Sequence, residues 1–422
     1  MIQQNKLSIE QHRVVITGLG AISALGVGAA AQFQKASACA SGISSFIGST
    51  AIPVDLPCAA IIAEPYSTEL EASTLAMFDR VAHLSWLVAR EALEHAGING
   101  LSQDELQRSG IYWGTGFGGS NTLDNAYQDI YLKNKDRARP FTIIGVMANG
   151  ATGLLSMQSG FKGPSLTYST ACASSAHAVG EAYRSIKHGY CKRAIAGGAE
   201  SLFNAGPIKA WEALKTLANP DPENIASSCK PFSKNRSGFV LGEGAAALIL
   251  ETLEDAKSRG ANILGEIIGY GATSDALHIT KPDVFGQARA MQLCMQEAQV
   301  NPEQVVYLNA HGTATGVGDI AETNSIKVAF GEKLASLLHV SSTKAIHGHT
   351  LGAAGALELL ITVQAMQNNI APGTAFLKIP DPECDLNYLP EKSLELSIPY
   401  AMSNSFAFGG SNVSLLLARD IA

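Results

Sequence analysis

Six short runs along the chain are apolar at almost every position: Arg13-Val-Val-Ile-Thr17, Gly110-Ile-Tyr-Trp113, Arg193-Ala-Ile-Ala196, Ala246-Ala-Leu-Ile-Leu250, Val305-Val-Tyr-Leu308 and Leu338-His-Val-Ser341. Each is too short for a buried helix and reads as a strand. Helix-length segments separate several of them. From Asp79 to His95, for example, Val81, Leu84, Leu87, Val88 and Leu93 recur at helical spacing. Strands with no polar alternation, interleaved with helices, predict parallel sheets covered on both faces. Many of the strands end in glycine turns: Gly18-Leu-Gly20, Gly114-Thr-Gly116-Phe-Gly118-Gly119, Gly197-Gly198 and Gly409-Gly410. Tight packing of helix on sheet accounts for most of these. A dinucleotide fingerprint at Gly18-x-Gly20 is weak, because Ser23 stands where the third glycine belongs.

Composition narrows the class. In 422 residues, 46% are apolar and 16% charged, so an ordered globular chain is expected, with roughly two or three domain-sized units. No Pro/Ser tract, low-complexity segment or block of like charge separates them, so the units share a core. The low charge and 41 glycines point to a surface partly buried against a second copy. A net charge of −7 argues against general nucleic-acid binding. The seven cysteines (39, 58, 172, 191, 229, 294 and 384) form no CxxC pair. They read as reduced thiols of a cytoplasmic protein. The start, MIQQNKLSIEQ, has no apolar leader core, and no run is long enough to span a bilayer.

The stretch with most chemistry is Pro164-Ser-Leu-Thr-Tyr-Ser-Thr-Ala-Cys-Ala-Ser-Ser-Ala-His-Ala-Val-Gly180. A β-prone run breaks into small residues and continues as a helix with Ala176, Val179, Tyr183 and Ile186 as its buried stripe and Gly189 as its stop. Cys172 falls at the helix tip, where free N–H groups and the macrodipole favour a thiolate. Taken alone it reads either as a nucleophile or as a small core residue, the reading that suits Cys39, Cys191, Cys229, Cys294 and Cys384. Acyl transfer from a thiol also needs groups that move protons or polarise an oxyanion. Two strand-end loops offer them: Asn309-Ala-His-Gly-Thr-Ala-Thr-Gly-Val-Gly-Asp319 carries His311, and Ser342-Thr-Lys-Ala-Ile-His-Gly-His349 carries Lys344, His347 and His349. His347-x-His349 has no carboxylate or cysteine at zinc-ligand spacing, so a metal is disfavoured.

Over nearly its whole length the chain resembles the elongating β-ketoacyl-[acyl-carrier-protein] synthases, types I and II, of the thiolase-like condensing enzymes. The resemblance rests on VVITGLGAISALG, TACASSAH, AGGAES, PFSKNRSGFVLGEGA, NAHGTAT, STKAIHGHTLGAAG and SNSFAFGGSN, in that order. It implies an α/β thiolase-like fold of two pseudo-equivalent halves, 1–259 and 260–422, in stacked α-β-α-β-α layers. It implies decarboxylative condensation: Cys172 holds the acyl primer, the N–H groups of Cys172 and Phe408 form its oxyanion hole, and His311 and His349 polarise the malonyl thioester. Lys344 supports that network, with an ion pair to Asp319 or Glu322 as its structural alternative. Thr313 and Thr315 match the hydroxyls that bind the phosphopantetheine arm of an acyl carrier protein, and Phe406 and Gly409 fall with them on the substrate side. Asn309, Glu358 and Asn404 match positions near a monovalent cation in some members, and an Asn–Glu hydrogen-bond cluster explains them equally well. No other cofactor is implied. The partner subunit is a second copy or a chain-length factor.

Thiolases need a late second cysteine and initiating synthases an asparagine in place of the second histidine; neither fits. A non-catalytic chain-length factor normally lacks the cysteine, and a cysteine hydrolase leaves Lys344 and the second histidine unexplained. Three positions depart from the pattern. Phe117 falls where a smaller acyl-pocket residue is usual, which predicts a short or unusual primer. Ala407 replaces a glycine before Phe408, and His347 a threonine. The acidic carrier requires a basic dock, for which Lys133-Asn-Lys-Asp-Arg-Ala-Arg139 is the densest run.

Overall fold

The structure, a computed structural model, describes residues 11–48, 55–62 and 66–420. The polar start of the chain, residues 1–10, lies outside them. An 11-stranded mixed sheet dominates the described residues. Ten strands form one path: β1 (Val14–Ser23), β2 (Ser109–Gly114), β3 (Ser165–Tyr168), β4 (Arg193–Glu200), β5 (Gly244–Thr252), β6 (Gly265–Ser274), β7 (Tyr307–Asn309), β8 (His339–Ser341), β9 (Tyr400–Ala407) and β10 (Ser411–Ala418). The two-residue strand Gly26–Val27 pairs with the end of β1. The spatial order is β8-β7-β9-β10-β6-β1-β5-β4-β2-β3.

Divided between β6 and β1, this order becomes two copies of one pattern. In each half the third, second and fourth strands run parallel, and the fifth is antiparallel to both the fourth and the first. The halves meet where Val14, Val15 and Ile16 pair with Ile267, Glu266 and Gly265. The expectation of parallel sheets therefore holds only for the outer strands of each half. The turn from β9 to β10 is three residues long, far too short for a parallel crossover, so these two strands form a hairpin.

Burial on both faces is what made the strands continuously apolar. Along β5, Ala246, Leu248 and Leu250 face a central layer made by α3 (Ser174–Lys187) and α6 (Ala354–Asn368). Ala245, Ala247 and Ile249 face the outer helices α1 (Arg80–His95) and α2 (Gly150–Ser159). Beyond the second half, α4 (Val284–Ala298) and α5 (Gly316–Phe330) cover Leu308, Val340, Met402 and Leu416. These are the five layers α-β-α-β-α. The Asp79 carboxylate accepts from the Val81 N–H and caps α1 one residue before the helix begins. A Cβ on Gly18 or Gly20 would lie 2.1 or 2.0 Å from a backbone oxygen of α1, so this glycine pair serves helix–sheet contact. No helix among the described residues is long and apolar enough to cross a membrane.

The repeated pattern places the site. The link from third strand to central helix carries Cys172 in one half and Lys344, His347 and His349 in the other. The link after the second strand carries Phe117 in one half and His311 in the other.

Candidate active site

Between β3 and α3 the chain turns through Ala171 at φ 49°, a left-handed backbone that a residue with a Cβ adopts only under constraint. The Ser174 hydroxyl supplies that constraint, accepting from the Thr170 N–H at 2.9 Å and donating to the Ala171 carbonyl at 2.6 Å. The turn presents Cys172 just ahead of the first residue of α3. At the end of β2, a Cβ on Gly114 would meet the Ser175 nitrogen at 2.3 Å, so glycine is needed for the strand to lie against this helix start. Cys172 is buried, 7% exposed.

That burial reverses one expectation. Desolvation pushes the Cys172 thiol up to about 12, with Lys344 pulling it down and Glu200 and Glu358 pushing it further up. One helix terminus does not outweigh removal from water, and the resting group is a neutral thiol. Alkylation by iodoacetamide is therefore expected to accelerate roughly tenfold per pH unit from about pH 7 to pH 10. A rate that levelled off near neutrality would show a helix-tip thiolate instead.

His349 Nε2 lies 3.0 Å from Cys172 Sγ. Its Nδ1 accepts the Leu351 N–H at 3.3 Å. A backbone N–H can only donate, so the proton of the neutral ring sits on Nε2 and points at the sulfur. The His311 ring stands edge-on to His349, centroids 5.5 Å apart. Lys344 Nζ approaches His311 Nδ1 at 3.4 Å. An ammonium also only donates, which leaves the His311 proton on Nε2. Burial, then the charge of Lys344, holds both imidazoles well below their usual range, so they stay neutral donors at physiological pH. Lys344 is fully buried and pairs with Glu358 at 2.5 Å, not with Asp319 or Glu322. Burial raises Glu358 to about 7 against the pull of that lysine. Ligating atoms of Cys172, His311 and His349 lie within 4.8 Å of one another. The inward nitrogen of His349 nevertheless carries a proton and not a lone pair, which disfavours a metal there.

Two further carboxylates hold the loops: Glu200, which the sequence reading gave no role, and Glu322, which it offered only as an ion-pair partner of Lys344. Glu322 accepts the N–H groups of His311 and Gly312 at 2.8 and 2.7 Å. Glu200 accepts the N–H groups of Gly116, Phe117 and Gly352, and so ties one half's loop to the other's. Burial pushes Glu200 up to about 7, while these donors favour the carboxylate. Arg236 donates to the carbonyls of Thr315 and Gly316. The His349 N–H donates to the Val240 carbonyl at 2.7 Å, and Gly242 donates back to the His349 carbonyl. The GFVLGEGA motif is thus the backing of the second histidine.

The three reactive groups open into a cleft of 380 Å³ whose wall includes Thr313, Thr315, Phe406 and Phe408. Gly409 and Phe117 are not on that wall. Gly409 donates to the Ile279 carbonyl instead, and the Phe117 ring is half-exposed and leans on Trp211. In the expected basic dock, Asp129 pairs with Lys133, Lys135 and Arg139, and this single carboxylate leaves the run net cationic. His347 is fully buried and held by Thr343. Of the three residues matched to a cation, Asn309 Oδ1 and Glu358 Oε2 are buried oxygens without a partner among the described residues. Asn404 Oδ1 accepts from Ser414. Two such oxygens fit a monovalent cation.

Residues 11–256 match the family described as "Beta-ketoacyl synthase, N-terminal domain", and residues 264–378 match its C-terminal domain. The chain belongs to the β-ketoacyl synthase family. It is 38% identical over 416 residues to 3-oxoacyl-[acyl-carrier-protein] synthase 2 of Staphylococcus aureus (strain COL), covering 97% of this chain and 99% of that one. A β-ketoacyl synthase from Burkholderia phymatum STM815 superposes with TM-score 0.88 at 32% identity, covering 97% of this chain and 100% of that one. A structure described as a type II PKS acyl-carrier protein in complex with its ketosynthase bound to the hexaketide (AntDE:AntF) superposes with TM-score 0.88 at 28% identity and the same coverage.

Proposed function

We infer that this synthase joins an acyl primer to a malonyl unit with loss of carbon dioxide, both delivered by acyl carrier protein. The observation that carries this is the protonated Nε2 of His349 at 3.0 Å from Cys172 Sγ, with a second neutral donor, His311, beside it. In the first half-reaction the Cys172 sulfur attacks the primer thioester. The acyl group moves to Cys172, and its proton ends on the departing arm thiol. The backbone N–H groups of Cys172 and Phe408 receive the oxyanion. In the second, the malonyl C–C bond breaks and carbon dioxide leaves. The two Nε2–H groups receive the charge that develops on the thioester oxygen, because neutral donors can cradle an enolate without keeping a proton on it. The carbanion attacks the acyl-cysteine, and the Cys172 thiolate leaves and regains a proton from solvent.

Lys344 fixes the His311 tautomer. Thr313 and Thr315, 3.0 Å apart on the cleft wall, receive the arm. Asn309 and Glu358 would hold a monovalent cation, which supplies positive charge to the buried carboxylate. We place the division between halves at 259/260, between β5 and β6. A second copy, or a chain-length-factor-like subunit, is read onto the apolar face around edge strand β3, where Tyr127, Tyr131, Leu132, Phe141, Ile143 and Leu166 are exposed. The seven unpaired cysteines support a reducing, cytoplasmic setting. Release of labelled carbon dioxide from malonyl-carrier protein, together with a β-ketoacyl product by mass, tests this reading. Thioester hydrolysis without a new carbon–carbon bond would overturn it.

A further inference from the structure

The apolar residues packed about Cys172 are unusually aromatic. Phe203, Trp211 and Phe239 are buried in the same cluster as the cysteine, and Phe408 packs against it. Trp211 is their hub. Its ring lies 6.3 Å from Phe408 with the planes only 27° apart, 6.3 Å from Phe117 at 55°, and 5.5 Å from Phe239 at 83°. Phe239 in turn stands edge-on to His349 at 5.2 Å. All of these centroid distances fall in the range where aromatic pairs attract. The Trp211 indole N–H is buried without a hydrogen-bond partner among the described residues, so the ring is placed by apolar packing and not by a hydrogen bond. Trp211, Phe239 and Phe408 line the same cleft as Cys172 and both histidines.

A saturated chain gains from such a wall only the area it buries. A planar π-system gains stacking in addition, and it loses little conformational freedom on entering because it is already flat. We propose that the acyl group carried on Cys172 bears a conjugated or aryl segment, stacked against the wall made by Trp211 and Phe408, with Phe117 packed on the indole outside the cleft. This rests on the condensing reading above and names its primer class. It also gives Phe117 a different part from shortening the channel, as the outer member of an aromatic array that ends at Trp211.

The test is the rate at which Cys172 is acylated, followed by intact mass, with pantetheine thioesters of equal carbon number. Octa-2,4-dienoyl is compared with octanoyl, and 3-phenylpropenoyl with 3-phenylpropanoyl. The ratio within each pair is measured in the wild type and in Trp211→Leu, which cancels intrinsic thioester reactivity. Loss of the indole is expected to lower the conjugated-to-saturated ratio roughly 3- to 10-fold. Trp211→Phe should restore most of it, and Phe117→Leu, at a half-exposed position, should lower it less. A ratio unchanged in Trp211→Leu and Phe117→Leu, or a wild type that favours the saturated member of each pair after that correction, overturns the proposal. If no thioester acylates Cys172 at all, the condensing reading fails first and this inference with it.

Discussion

Replacing Cys172 by alanine is expected to abolish condensation, a loss on the order of 10⁶-fold, while carbon dioxide is still released from malonyl-carrier protein. The two half-reactions use different atoms. Acyl transfer has no other acceptor, since the remaining described thiols lie away from the cleft wall, and removal of a covalent nucleophile leaves only residual catalysis by binding and charge stabilisation. Decarboxylation needs the two Nε2–H donors, and both are fixed from behind. The Leu351 N–H sets His349, and Lys344 sets His311, whatever stands at position 172. The complementary substitutions separate the roles. His311→Ala or His349→Ala should each slow decarboxylation by about 10²–10³, the usual effect of removing one preorganised oxyanion donor, and leave acylation of Cys172 measurable by intact mass. Radiolabelled carbon dioxide and the acyl-enzyme mass read the two steps in one experiment. If Cys172→Ala retained condensation, or if both histidine variants lost acylation and decarboxylation together, the division of labour would be wrong.

The sequence made this division legible because the residues that carry it sit at strand ends, where apolar runs give way to glycine and hydroxyls. Cys172, His311 and His349 were each placed in such a link, and the fold brings them together because the two halves repeat one strand order. Strands whose residues face two hydrophobic layers were equally plain, as β1 and β5 show. What stayed hidden needed tertiary partners. β9 reads as Tyr400-Ala-Met-Ser-Asn-Ser-Phe-Ala407, too polar to stand out as a core strand, because Asn404 and Ser414 satisfy one another across the hairpin. Glu200 and Glu322 look like ordinary acidic residues until the loops they gather are seen. The basic run at 133–139 could not reveal Asp129 folding back on it. The thiol pKa followed burial rather than helix position, and burial of a single residue is not written in its neighbours along the chain. Trp211 was missed for a related reason: a lone tryptophan in a short helix (Ala205–Ala213) gives no sign that three other rings converge on it.

The ion pair beneath the histidines carries the largest stability prediction. Lys344 and Glu358 are both fully buried, 2.5 Å apart, and charges removed from water this far persist only because each compensates the other. Lys344→Met leaves Glu358 buried without its cation, at an expected cost of about 3–5 kcal/mol, measured as a shift in urea midpoint at constant m. The carboxyl escapes by holding a proton. Its folded pKa already lies near 7, above the usual carboxylate value, and Lys344 is the charge that pulls it down. Without the lysine it rises further. A carboxyl whose folded pKa exceeds its unfolded one makes the native state the better proton binder between the two values, so stability falls as pH rises through that window. The variant should therefore lie closer to wild type near pH 5 than at pH 8, and the gap should open mainly above about pH 7, where the wild-type carboxyl ionises and the variant's does not. Lys344→Met combined with Glu358→Gln removes the stranded charge and should recover most of the stability at pH 8. Decarboxylation should stay impaired in that double variant, because nothing then donates to His311 Nδ1 and the ring is free to turn its proton away from the thioester. A single variant as stable as wild type at pH 8, or a double variant with full activity, would show that the pair neither balances charge nor sets the tautomer.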